Sequence, residues 1–209
     1  MWRELFQRYY AFRFDSMIAG AERGGLSDYR HDLLCGATGL TIEIGAATGL
    51  NIRHFPRSVS RLLMVEPDRH MLRQLRGRIA RVSSEARPLR AVAEHLPFPD
   101  AVADTVAVIF TLCTVSDQKA ALREIARVLV PGGRLLFLEH VRSADPDVEA
   151  AQDKIPFPYS HIGCHPNRDT LAEIRSSPLR LEEWQEGEVP CAPDLERPMI
   201  VGMAKKPRP

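Results

Sequence analysis

A short apolar segment, Leu40 to Ile44, runs directly into the small-residue turn Gly45-Ala-Ala-Thr-Gly49, and no other feature constrains the fold as much. A strand ending in such a turn and followed by a helix start opens a βαβ crossover, which implies a parallel sheet. The turn is expected to feed a helix through about Phe55, closed by Pro56. The chain then repeats the unit. Leu62 to Val65 reads as a second strand, and Asp68 caps a helix to about Val82, with Met71, Leu72, Leu75, Ile79 and Val82 on one apolar stripe. Arg87 to Val92 reads as a third strand and Thr105 to Thr111 as a fourth, buried on both faces. Asp117 caps a helix to Leu129, and Leu129-Val-Pro-Gly-Gly133 is a helix stop and tight turn before a fifth strand, Arg134 to Glu139. Ala144 to Pro166 is Pro-rich and irregular apart from a charged stretch, Asp147 to Lys154. Asn167 is the expected cap of a helix to about Arg175, and Leu179 to Gln185 with Met199 to Ala204 reads as a terminal strand pair. In such a doubly wound α/β sheet a ligand is expected at the carboxyl ends of the strands, where the strand order reverses.

A length of 209 residues suits one core rather than two domains. Within it we distinguish residues 1–36, an N-terminal helical cover; 37–143, the ligand-binding core; 144–177, a substrate loop and helix; and 178–209, the strand pair that completes the sheet. Trp2 to Ile18 mixes Phe6, Tyr9, Tyr10, Phe12 and Phe14 with arginines at helical spacing, as a cover for the core or a lid over a cavity. The 28 Lys plus Arg against 27 Asp plus Glu give no long-range field to attract nucleic acid or an anionic membrane. No apolar run approaches the roughly 18 residues of a bilayer span, and the start lacks a signal-peptide pattern, so a cytoplasmic location is expected. Cys35, Cys113, Cys164 and Cys191 show no short metal or redox spacing and read as reduced thiols.

Small residues in the turn let a ligand approach the backbone at a helix N-terminus, which implies a nucleotide-like ligand. Counted from Gly45, a dinucleotide fingerprint would place its second and third glycines at Ala47 and Leu50, which disfavours NAD. The alternative spacing puts an acid two residues before the first glycine and glycines at every second position. Glu43, Gly45 and Gly49 match it, whereas Ala47 replaces the central glycine and its methyl would crowd a ligand. Glu66 ends the second strand about 20 residues beyond the loop, where a carboxylate accepts both hydroxyls of a ribose.

These residues, with VEPDRHMLRQL (65–75), AEHLPFPDAVADTV (93–106), TLCTVSDQKAALREIARVLVPGGRLLFLEHV (111–141) and GCHPNRDTL (163–171), carry a family resemblance. The chain is similar to the ubiquinone/menaquinone branch of class I S-adenosylmethionine (SAM) dependent methyltransferases, and within it to the methyltransferase-like alkyl thiol methyltransferases. The resemblance implies a Rossmann-like, doubly wound seven-stranded sheet with its last strand antiparallel, and SAM as cofactor. It implies cofactor contacts at Glu43, Gly45, Ala46, Ala47, Gly49, Asn51, Glu66 and Pro67, with Ala93 and Glu94 beside the adenine and Thr111 lining the cleft. Ala91-Val92 stands where Gly-Asp is common, so Glu94 carries more of the adenine contact. Mammalian relatives begin with a hydrophobic anchor; this chain begins almost at the aromatic helix, so a soluble form is implied and contact with a membrane surface is the lesser expectation.

Methyl transfer from a sulfonium is an in-line displacement in which positioning supplies most of the rate, and a thiol acceptor reacts as its anion. His140, directly after the fifth strand, is the first candidate for the base or orienting group. His161, Cys164 and His165 cluster in the irregular segment, but three soft ligands with no fourth make a weak metal case, and they read as a loop wall with no metal. Cys113 reads as a small buried residue behind the cofactor rather than a nucleophile. The expected activity is methylation of a small-molecule acceptor, a thiol first. The alternatives are O- or C-methylation of a quinone-like or natural-product acceptor, or a SAM-binding protein that does not methylate, which Ala47 and Val92 keep open. Oligomeric state is left open by the sequence.

Overall fold

A computed structural model describes residues 2–82, 84–154 and 163–209. Seven strands form one sheet in the order β3-β2-β1-β4-β5-β7-β6. They are β1 Gly39–Ile44, β2 Val59–Val65, β3 Arg87–Leu89, β4 Ala103–Ile109, β5 Leu129–His140, β6 Arg180–Glu188 and β7 Pro198–Lys205. β1 pairs in parallel with β2 and β4, and β4 with β5, whereas β7 runs antiparallel between β5 and β6. The order reverses between β1 and β4, so a crevice opens beyond their carboxyl ends.

Period-two alternation sorts the side chains onto two faces. Ile42, Ile44, Val106, Val108, Leu135 and Phe137 pack under α4 (Gln118–Val128) and the helix Thr170–Ser176, which becomes α6 after α5 (Pro146–Gln152). The opposite row, Met64, Glu43, Ala107, faces α2 (Ser27–Leu34) and α3 (Arg69–Arg81). Asp68 caps α3 by accepting from the His70 and Met71 N–H groups, and Asp117 caps α4 through the Ala120 N–H. The terminal strand pair forms as expected.

Several local expectations are corrected. The segment after the loop is a 3₁₀ turn, Leu50–His54, rather than an α-helix, because Gly49 enters it in the left-handed conformation (φ 86°) and Pro56 follows at once. The third strand stops at Leu89 rather than Val92, which instead bridges back to His95 in a loop. The cap of α6 is Asp169, whose side chain accepts from the Ala172 N–H, and not Asn167, whose amide donates to Asp153. β5 already begins at Leu129, inside the expected turn, because Leu129 pairs with Ala103. The charged stretch is α5, capped by Asp145.

α1 (Trp2–Ala21) continues through a π turn, Glu22–Leu26, into α2. It lies across the crevice and is fastened to α3: Glu4 pairs with Arg69 and His70, Asp15 pairs with Arg78, and Gln74 donates to the Ala11 carbonyl. Its outer face leaves Trp2, Leu5, Tyr9 and Phe12 exposed.

Candidate active site

The crevice is a cavity of about 1200 Å³ roofed by Phe6, Tyr10, Phe14 and Ile18 of α1. Of the residues expected at the cofactor, Ala46, Ala47, Asn51, Glu66, Pro67, Ala93, Glu94, Gly45 and Thr111 line this one cavity, as does His140. Glu43 and Gly49 lie behind its wall. Gly49 sets the turn, and a Cβ there would meet Leu75.

The floor is the loop between β1 and the 3₁₀ turn. Gly45 (φ 72°) sits against Thr111, so any Cβ there would collide with the threonine hydroxyl, which itself donates to the Ile44 carbonyl at 2.9 Å. Ala47 adopts φ 47°, the left-handed conformation for which the usual glycine is suited, at a cost of about 1–2 kcal/mol. Its N–H donates to Glu66 Oε2 at 2.8 Å, and the Asp68 N–H donates to Glu66 Oε1 at 2.8 Å. An ionised carboxylate offers about four acceptor sites, so Glu66 keeps roughly two for a vicinal diol. Glu94 Oε1 accepts from the Ser116 and Asp117 N–H groups, tying the loop at Ala93–Glu94 to the start of α4.

Beneath the loop lies a charged layer that sequence reasoning missed in part. Asn51 donates to Glu43 Oε1 at 2.5 Å and accepts from Arg30 of α2 at 2.8 Å; Arg30 also donates to Glu22 at 2.8 Å. Glu43 Oε2 is buried with no hydrogen-bond partner among the described residues. That orphaned oxygen and the glycine cradle at Gly45 fit a ligand carrying an ammonium group and a nucleoside, as SAM does. Burial pushes the Glu43 carboxyl up to about 7 against the opposing pull of Asn51 and Arg30, and burial likewise pushes Glu66 up to about 7.

Both carboxyls bind protons more tightly when folded, so their contribution to stability is complete below about pH 4.5 and lost as pH rises through about 7. The ligand-free chain is expected to lose on the order of 1–3 kcal/mol across this window, with Glu43→Gln flattening the slope. Melting temperatures of both proteins against pH measure it; parallel curves would refute it.

The far wall holds a second missed feature. Thr111, Leu112 and Cys113 donate their N–H groups to the buried carboxylate of Glu139 at 2.9, 2.9 and 3.2 Å, and burial pushes Glu139 up to about 7. The Cys113 sulfur lies 3.9 Å from the Cys164 sulfur and 3.7 Å from His140 Nδ1, with Cys164 3.9 Å from the same nitrogen. The contact between the thiols pushes Cys113 up and holds Cys164 down. Phe110 stacks on the His140 ring at 4.2 Å. His161 lies outside the described residues, so the expected cluster in the 161–165 segment is represented by Cys164, which turns to Cys113 and His140, and by His165, whose N–H donates to the Cys113 carbonyl.

Comparison with known proteins decides the family. A model described as "Methyltransferase domain" matches residues 42–137, from β1 through β5. The chain carries a SAM-dependent methyltransferase domain. It is 29% identical to the human thiol S-methyltransferase TMT1A over 171 residues, covering 79% of this chain and 70% of the relative. It is 31% identical to the ubiquinone/menaquinone biosynthesis C-methyltransferase UbiE of Pseudomonas savastanoi, covering 64% of this chain and 61% of that one. The chain therefore spans less than two thirds of that bacterial relative. Among solved structures, a Thermotoga maritima SAM-dependent methyltransferase superposes with a TM-score of 0.71 at 20% identity, covering 95% of this chain and 97% of that one. The [4+2]-cyclase SpnF superposes with a TM-score of 0.72 at 17% identity, covering 89% and 81%. At these identities the superpositions show the class I methyltransferase fold. Among the described residues no helix is long and apolar enough to cross a membrane.

Proposed function

We propose that this chain transfers the methyl group of SAM to the sulfur of a small apolar thiol in the cytoplasm. The observation that carries the proposal is the continuity of one cavity. It runs from the Gly45–Ala47 loop, Glu66 and Glu94 to Cys113, His140 and Cys164, under an aromatic roof. SAM supplies an electrophilic methyl on its sulfonium. Glu66 would hold its ribose hydroxyls, Ala93 and Glu94 its adenine, and Glu43, buried behind the Gly45 loop, would set a negative charge beneath its ammonium. Phe6, Tyr10 and Phe14 exclude water, and an apolar roof selects an apolar acceptor. His140 acts as a positioning residue: its Nδ1 is engaged with both cysteine sulfurs, so it shapes the sulfur-lined end of the cavity.

The test is incubation with methyl-labelled SAM and matched alkyl thiols, phenols and quinols. Label on the thiols supports the proposal. Label on carbon of a quinol would move the assignment to the alternative that the similarity to UbiE favours, and SAM binding without label transfer would make the protein a non-methylating SAM binder. The ribose assignment has its own test. Glu66→Ala removes an acceptor for two hydroxyls and is expected to weaken SAM by about 2–4 kcal/mol, roughly 30- to 1000-fold, with Glu66→Gln intermediate. Calorimetric titration checks it, and unchanged affinity in a folded variant removes the assignment.

A further inference from the structure

We propose that Cys113, His140 and Cys164 form a binding site for a thiophilic divalent cation of the zinc class, open on its fourth side to the cavity. The three donor atoms form a triangle with sides of 3.7, 3.9 and 3.9 Å. A tetrahedral zinc ion, with bonds of about 2.3 Å to sulfur and about 2.0–2.1 Å to nitrogen, sets two sulfurs about 3.8 Å apart and sulfur and nitrogen about 3.6 Å apart. The triangle therefore needs adjustments of only about 0.1–0.3 Å to take the ion.

Each donor is held by its surroundings. Cys113 is fixed through its N–H to Glu139 and its carbonyl to the His165 N–H at 2.8 Å, which also anchors neighbouring Cys164. Arg168 donates to the Leu112 carbonyl at 2.8 Å, fastening the same two segments again. His140 ends β5 with its ring stacked on Phe110. Preorganised donors of this kind do not spend binding energy on ordering a loop. Both cysteines are buried, and two thiolates with a divalent ion make a neutral unit, which such a site tolerates better than a lone thiolate.

The donor set excludes other ions: two sulfurs and an imidazole suit zinc and its soft neighbours rather than magnesium or calcium. Three protein ligands with an accessible fourth position is the pattern of reactive rather than structural zinc. All three ligands line the cavity. If the thiol reading is correct, that fourth position takes the acceptor sulfur. The acceptor thiol would lose its proton to solvent, its sulfur would be presented as thiolate, and the neutral thioether product, a poorer ligand, would leave. Ligands 24 and 27 residues from His140, on separate elements, leave no motif in the sequence.

The test is titration of the reduced, metal-stripped full chain with Co²⁺, whose thiolate complexes absorb strongly in the near ultraviolet. One ion per chain, a thiolate-to-cobalt band and displacement by Zn²⁺ are expected. Cys113→Ser and Cys164→Ser should each weaken Co²⁺ binding by roughly tenfold or more and diminish the band. A preserved SAM-induced rise in melting temperature shows that each variant is folded. No band in the wild-type protein, or an undiminished band in both folded variants, overturns the site. Should a variant lose the SAM response, alkylation of the wild-type thiols decides: protection by one equivalent of Zn²⁺ supports the site, and undiminished alkylation overturns it. Adding an alkyl thiol to the cobalt form should shift its visible bands where the matching alcohol does not. A cobalt spectrum blind to thiols, or full thiol methylation by the metal-free protein, removes the acceptor clause while leaving the proposed function standing; an intact site in a protein that methylates no thiol does the reverse.

Discussion

Replacing Glu139 by alanine is expected to cost the fold about 3–5 kcal/mol, because three backbone N–H groups in a buried loop lose their acceptor together. Thr111, Leu112 and Cys113 follow the end of β4, with Phe110 at φ 53°, and among the described residues they have no ladder partner. Glu139 supplies the missing acceptor, Oε1 taking two N–H groups and Oε2 the third. Glu139→Gln separates this from a general intolerance of change. Its carbonyl can serve Thr111 and Leu112, but its amide NH₂ faces the Cys113 N–H, donor against donor, so a loss of about 1–2 kcal/mol is expected. Denaturant unfolding measures both. The alanine variant should also expose Cys113 to alkylation, since the same carboxylate sets that residue's position. An alanine variant as stable as the parent would show that water replaces the carboxylate without penalty.

What was legible in the sequence follows from how far apart the interacting residues are. Asp68 and Asp117 cap their helices as read, because a cap is made within three residues. The succession of strands along the chain and the loop at Gly45 are legible for the same reason, because apolar runs and a small-residue turn are local signals, whereas the seven-stranded sheet with its last strand antiparallel is legible through the family resemblance. Asn167 was misplaced by two residues because Asp169 competes for the same helix end and its carboxylate is the better acceptor. Glu139 carried a signal that went unused, an acid interrupting the apolar run Leu135 to Leu138, where burial demands partners. The thiol pair was beyond the sequence. Cys113 and Cys164 are 51 residues apart and meet only because α6 and its preceding loop fold back over the end of β4. Grouping Cys164 with His161 and His165 by adjacency pointed away from its partners. Residue type alone marks Ala47 as a departure whose methyl would crowd a ligand; its positive φ shows the physical demand that a glycine usually meets there.

Arg30→Met is expected to destabilise the protein by about 3–5 kcal/mol, because it removes one partner from a buried charge network and strands the others. Arg30 is 4% exposed and donates to Glu22 and Asn51, with its guanidinium 5.8 Å from the centre of the Phe110 ring. Without it, Glu22 keeps, among the described residues, Arg53 at 3.6 Å with a largely exposed side chain, and Glu43 loses a cation opposing its protonation. The melting temperature should fall by about 10 °C, as a loss of this size does in a chain of this length. Arg30→Lys restores the charge but not the two-pronged geometry, so it should recover only part. Two further measurements separate charge from packing. The double variant Arg30→Met with Glu22→Gln removes a stranded anion and should be more stable than Arg30→Met alone; equal stability would place the loss in packing. SAM affinity measured below the melting transition should also weaken in Arg30→Met, most at neutral pH, because Glu43 would then hold its proton more firmly and offer the ammonium a neutral acid in place of a carboxylate. Unchanged affinity at every pH would detach the network beneath the loop from the ligand above it and leave Arg30 a purely structural residue.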